Sequence, residues 1–219
     1  SVTLFQVSIK VDDSVHCGGA IISPTEVLTA AHCVTDGNPY TYTVVAGSLT
    51  WKNPENNAFV ERQVVSVQIH ERYTKGNAND IAILEVAPAF EFLGSGGFVW
   101  GVRLPEEDQE VLGHVIVSGF GFTHPGDGVT DALRAITLSV IPNDQCRRPE
   151  GMFCTRAEDK GICFGDSGSP IIQVRNGEAT LVGIVEGGGT MCISGAKRGP
   201  DIHVDVARYV RWIWQHSTL

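Results

Sequence analysis

The sequence predicts an all-β fold, built in two halves and closed by one C-terminal α-helix. Three observations carry that prediction. Charged residues make up only 19% of the chain while Gly (25) and Pro (10) are plentiful, a balance that favours many turns over a helical bundle. Short runs of alternating or continuous apolar residues recur along most of the length, each bounded by turn residues. Over residues 90–108 the pattern breaks, with Gly94-Ser95-Gly96-Gly97 and then Pro105-Glu106-Glu107-Asp108. That stretch reads as the connection between a first half over residues 1–103 and a second over 104–219. A chain of 219 residues is long enough to bury one sizeable core or two small ones.

The elements follow in order. Val2, Leu4, Val7, Ile9 and Val11 fall mostly at alternate positions and predict an opening strand. Cys17-Gly18-Gly19-Ala20-Ile21-Ile22 comes next, then Val27-Leu28-Thr29-Ala30-Ala31-His32-Cys33. Further strands are expected over 43–46, 64–69 and 81–86, separated by turns such as Asp36-Gly37-Asn38-Pro39 and Trp51-Lys52-Asn53-Pro54. The second half resumes with Val115-Ile116-Val117-Ser118-Gly119-Phe120-Gly121 and a loop through His124 to Gly128. A strand over 135–141, a loop bearing Cys146 and Cys154, a glycine-rich segment and a strand over 180–185 complete it. From about residue 205, Val206, Val210, Ile213 and Trp214 recur at i, i+4, i+7 and i+8, which predicts an amphipathic helix docked by that face.

Composition narrows the function. A formal net charge of −9 argues against nucleic acid or an anionic membrane as the main partner. No apolar run approaches the roughly 18 residues of a membrane-spanning helix, and the opening lacks a leader pattern, so the chain reads as mature or trimmed. Six cysteines, an even number, point to three disulfides and an oxidising compartment, although six allow fifteen pairings. A zinc site would need Cys-x2-Cys or paired histidines, and neither is present, so no metal or other cofactor is expected. No Asn-x-Ser/Thr acceptor for N-glycosylation occurs.

Gly161-Ile162-Cys163-Phe164-Gly165-Asp166-Ser167-Gly168-Ser169-Pro170 is the segment with the most chemistry in it. Small residues flank one serine, an acid precedes it and a cysteine stands four residues upstream. That suits a nucleophilic hydroxyl on a tight turn whose backbone N–H groups face a developing oxyanion. The plainer reading is a Gly/Ser loop before a strand. His32 is followed by Cys33, and small Ala30 and Ala31 precede it. A lone histidine is more often structural, but that surrounding space favours a working role. Asp80 stands at the mouth of an apolar run, where an acid by itself would be a solvated turn residue. Taken together the three fit: an imidazole activates the hydroxyl, and a buried carboxylate fixes the tautomer and stabilises the imidazolium. His16, His70, His114, His124 and His216 read as ordinary surface residues.

Thr29-Ala30-Ala31-His32-Cys33, Asn79-Asp80-Ile81-Ala82-Ile83-Leu84 and Gly165-Asp166-Ser167-Gly168-Ser169-Pro170, in the order His, Asp, Ser, resemble the three motifs of the chymotrypsin (trypsin-fold) serine proteases. The resemblance spans nearly the whole chain. It implies two antiparallel Greek-key β-barrels with the site between them, His32 and Asp80 on the first and Ser167 on the second. It gives Ser167 the role of nucleophile, His32 of general base then acid, and Asp80 of orienter. Gly165 and Ser167 would supply the oxyanion hole. Gly161, Phe164, Glu186, Gly187, Gly188 and Asp201 would line the substrate cleft. The implied disulfides are Cys17–Cys33, Cys146–Cys154 and Cys163–Cys192. A secreted, monomeric endopeptidase acting on proteins or peptides, and subject to protein inhibitors, is the function the resemblance implies.

Three departures qualify it. Active relatives begin with an Ile/Val-Val/Ile-Gly-Gly segment whose freed amine pairs with the acid before the serine, here Asp166. This chain starts downstream of that segment, so a zymogen-like, weakly active species is expected. Glu186-Gly187-Gly188 stands where relatives carry Ser-Trp-Gly, which sets a second carboxylate near Asp80, with one pKa raised or Glu186 turned outward, and widens the cleft. Gly161 at the pocket floor with Asp201 on its wall resembles broad-specificity collagenolytic proteases of crustaceans and insects. That arrangement would accept basic and some large apolar residues, unless Asp201 is a solvated loop acid. His203 nearby replaces a tyrosine and would make the pocket pH-sensitive. The alternative function is a catalytically impaired protease fold that acts by binding a partner.

Overall fold

A computed structural model describes residues 4–12, 14–51, 59–76, 78–124, 126–146, 148–158, 160–188 and 199–219. Its first six strands are β1 (Gln6–Val11), β2 (Ser14–Ser23), β3 (Glu26–Thr29), β4 (Tyr42–Ala46), β5 (Val60–Ile69) and β6 (Ala82–Ala87). They close into a barrel in the order β1-β2-β3-β6-β5-β4, with β4 pairing back to β1. All pairings are antiparallel, and β3 skips over β4 and β5 to pair with β6, the Greek-key connection. The second six are β7 (His114–Gly119), β8 (Arg134–Ile141), β9 (Met152–Arg156), β10 (Pro170–Arg175), β11 (Glu178–Gly188) and β12 (Asp201–Asp205). They close in the order β10-β11-β12-β9-β8-β7. Closure gives each of these twelve strands a partner on both sides.

The alternation of apolar residues explains why the strands sit where they do. Val7 and Ile9 of β1, Val27 and Leu28 of β3, Val64 of β5 and Leu84 of β6 are buried in the first barrel. Val115, Val117, Leu138, Phe153, Ile171, Val182 and Val185 fill the second. The first core does not stop at its own strands. Ile172, Leu181, Ile184 and Val204 of the second barrel, with Val206, Tyr209, Trp212 and Ile213, pack into the same cluster. Each such side chain contributes roughly 1.5–3 kcal/mol on burial, so this shared layer is what fixes one barrel against the other.

The C-terminal segment corrects the expected helical face. Val206 lies in a short 3-10 turn (Val206–Arg208), and α1 spans Val210–His216. Val206, Val210 and Ile213 are buried as that spacing expects. Trp214 is 54% exposed, and Trp212, at 7%, takes the buried place instead. His70 is a second correction. It is 3% exposed, with its ring between Tyr209 (5.6 Å between centroids) and Trp212 (5.0 Å). Its backbone N–H continues the β5 edge to Ile81 O at 3.1 Å, which turns the side chain inward. Nδ1 accepts the Arg72 N–H at 3.2 Å. Burial lowers the His70 pKa, with Arg72 and His216 adding to burial and Glu71 opposing it.

Candidate active site

His32 follows β3 on a 3-10 turn (Ala31–Val34). Ala30 and Ala31 are fully buried, so their small side chains let that turn press into the core, and Cys17–Cys33 ties it to β2. Asp80 sits on a different device. Asn79 before it adopts φ +68°, a conformation asparagine tolerates better than most residues. The Asn79 N–H donates to Tyr209 Oη at 3.0 Å and its amide to Arg72 O at 3.1 Å, so the last part of the chain holds the turn. Asp80 itself is 2% exposed, not the solvated turn acid that it would be alone.

The two side chains meet. His32 Nδ1 lies 2.6 Å from Asp80 Oδ2, and the His32 backbone N–H donates to Oδ1 at 2.8 Å. A carboxylate opposite Nδ1 holds the proton there, which leaves Nε2 as the acceptor. Burial alone would lower the His32 pKa. The hydrogen bond and charge of Asp80, helped by Glu186 and opposed by Lys75, more than offset it, and the pKa ends above its ordinary value.

Ser167 is carried by a turn clamped from both sides. Gly18 of β2 donates its N–H to Ser167 O at 2.8 Å. Gly168 donates to Val185 O at 2.8 Å, and Val185 donates back to Ser169 O at 3.0 Å. Gly168 has φ +77°, and a Cβ there would run into Thr29 and Gly18, so only glycine lets the serine turn approach the histidine wall this closely. Among the described residues, no hydrogen bond joins Ser167 Oγ to His32. The N–H groups of Gly165 and Ser167 donate to no other described residue, and Gly165 has φ +89°.

Asp166 is half-buried as a residue, with its carboxylate tucked against Gly119 and Gly121, where any Cβ would overlap it. Desolvation raises its pKa to about 6, against the N–H bonds from Cys163 and Gly121 at 2.9 Å each, and the charge of Asp201 raises it further. Asp201 opens β12 opposite Thr155 of β9 and Gly188 of β11. At 1% exposure it is not a solvated loop acid. His203, two residues on, is fully buried, with Nε2 2.8 Å from Thr155 Oγ1. Gly161 is half-buried, and Phe164 is 54% exposed, edge-on to Phe122 at 5.9 Å.

Glu186 is half-buried. Burial and then Asp80 raise its pKa, while His32 lowers it. Cys17, His32 and Cys33 cluster tightly enough to suggest a metal site, but the two sulfurs are bonded to each other and offer no thiolate. Cys146–Cys154 is formed. The expected Cys163–Cys192 pair involves a residue outside those described. The support that Asn79 and Tyr209 give Asp80 was not read from the sequence. An asparagine before the acid was its only local signal.

A family model described as Trypsin matches residues 3–213. The chain belongs to the trypsin family, whose members are serine endopeptidases. It is 34% identical to serine protease SP24D of Anopheles gambiae, over 95% of this chain and 74% of the relative. Against trypsin epsilon of Drosophila erecta the figures are 32%, 95% and 80%. Against U21-ctenitoxin-Pn1a of Phoneutria nigriventer they are 29%, 90% and 86%.

Proposed function

We propose that the protein is a serine endopeptidase in which His32, Asp80 and Ser167 form the triad. The observation that carries this is the two-point contact between Asp80 and His32, on a turn directly beside the clamped serine turn. In that geometry Ser167 Oγ attacks the scissile carbonyl while its proton passes to His32 Nε2. The imidazolium, paired with Asp80, then returns the proton to the leaving amine, and water repeats the cycle on the acyl-enzyme. The N–H groups of Gly165 and Ser167 receive the oxyanion. Hydrogen bonds of this kind often tighten only in the substrate complex, which fits the open Ser167–His32 pair.

Gly161, Phe164, Gly187, Gly188 and Asp201 line the substrate cleft on this reading. The buried Asp201 charge supports a preference for basic residues, and the exposed Phe164 ring supports apolar ones as well. Asp166 serves as the activation acid, because a carboxyl whose pKa stands at about 6 gains most from a cationic partner. The disulfides fit secretion into an oxidising compartment. No helix among the described residues is long and apolar enough to cross a membrane. A monomer acting on protein or peptide substrates, and open to protein inhibitors, is the working form proposed.

Fluorophosphonate labelling with mass spectrometry tests the triad. A stoichiometric adduct on Ser167, lost in His32→Ala, is expected. An adduct elsewhere, or one that survives in His32→Ala, overturns the assignment.

A further inference from the structure

Glu186 occupies an unusual place in the second barrel. Along β11, Val185 pairs with His203 and Gly187 with the very next residue, Ile202, so Glu186 is the extra residue of a β-bulge. A bulge re-aims a side chain that regular alternation would send to the opposite face. The preceding residue has no freedom to follow, since Val185 is bonded through both its N–H and its carbonyl to the Ser167 turn. That turn abuts Thr29 and Ala30, just ahead of His32, and the half-buried Glu186 carboxylate next to Val185 acts electrostatically on both Asp80 and His32.

We propose that Glu186 is a positioning residue for proton transfer, a second carboxylate that acts with Asp80 on the His32 imidazole. The inference rests on His32 being the general base and adds the residue that sets its working range. When His32 takes the Ser167 proton, its new positive charge meets two carboxylates in place of one, so the ion pair formed at the transition state is favoured. The same charge holds His32 protonated to higher pH, which delays its availability as a base. The other charged or titratable groups acting on this imidazole are Asp80 and, opposing them, Lys75. Tyr73 borders the same carboxylates. Its buried hydroxyl has no hydrogen-bond partner among the described residues, and burial, Asp80 and Glu186 all raise its pKa.

The test is a proton NMR titration of His32 in the whole protein, alongside the pH profile of p-nitrophenyl acetate hydrolysis. Glu186→Gln is nearly isosteric and removes only the charge. Its His32 midpoint and its acid limb of kcat/KM should both move to lower pH, so that below the midpoint the variant outperforms the parent. Glu186→Asp should return both toward the parent. If Glu186→Gln does not fold, Glu186→Ser carries the same expectation. Superimposable His32 titrations in parent and uncharged variant overturn the proposal. A shifted titration without hydrolysis in any protein supports the coupling and counts against the proposed activity instead.

Discussion

Asp80 makes two bonds to one residue, so under the proposed triad much of the chemistry rests on a single carboxylate. In Asp80→Asn the amide NH2 would face Nδ1 and force the proton onto Nε2, the atom that accepts from Ser167 in the proposed mechanism. The expected loss in kcat is about 10⁴-fold with the fold intact, since binding and the oxyanion donors remain. Steady-state hydrolysis together with circular dichroism checks this, and a loss below tenfold would mean that Asp80 is not the orienter. The His32 pKa should also fall in this variant, because burial, the largest influence on it, would lose its main opponent. The proposed triad residues, Ser167, His32 and Asp80, stand out in the sequence because each lies in a short motif whose residue types have a chemical reason, and the structure pairs two of them, His32 and Asp80. Glu186 was legible as a second carboxylate near Asp80. Its bulge was not, because a bulge exists only in the register between two strands.

At the level of elements, α1 does more than cap the second barrel. Trp212 stacks on His216 at 4.9 Å between centroids, lies against His70 and donates its indole N–H to Glu71 at 2.9 Å. Tyr209, at the start of the same segment, holds the Asn79 turn and through it Asp80. Trp212→Ala should cost about 3–5 kcal/mol, the range for removing a large aromatic from a core. Trp214→Ala should stay within roughly 0.5 kcal/mol. Urea unfolding of the two variants compares them, and equal losses would show that the docked face is misassigned. The sequence carried the existence of this helix and of most strands, because apolar periodicity survives without tertiary context. It misjudged which tryptophan docks, because the residues that receive Trp212, His70 and Glu71, are distant in sequence. His70 was missed for a related reason: what buries it arrives from a segment about 140 residues later. The strand through Cys154 does not stand out in the sequence, because it is only five residues long and its partners, β8 and β12, are distant in sequence.

Over the whole molecule, the buried carboxyls set how stability depends on pH. The folded pKa of Asp166, about 6, stands above its ordinary 3.8. A group raised in this way contributes stability that is complete below the unfolded value and is lost as pH rises through the folded one, a swing of roughly 3 kcal/mol for Asp166. Glu186 and Asp205 are raised by burial and act in the same sense. His32, also raised, loses its share at higher pH still. Opposing them is His70, whose lowered pKa favours the fold above the ordinary imidazole range. Asp36, Glu71 and Asp127 have lowered pKa values and favour the fold only above the carboxylate range, as exposed groups with small effects. The net charge of −9 adds repulsion as the remaining acids ionise. The balance predicts a maximum near about pH 5 and a falling Tm toward about pH 8. In Asp166→Asn that fall should be markedly shallower, whatever the variant's absolute Tm, because the group that drives most of it no longer titrates. Calorimetry across this range decides, and a parent protein as stable at the alkaline end as at the acidic one would show that Asp166 is not held at a raised pKa in the folded state. On the proposed reading of Asp166 as the activation acid, a cationic partner would flatten the profile in that way, so the thermal profile reports on the Ser167 turn as well as on the fold.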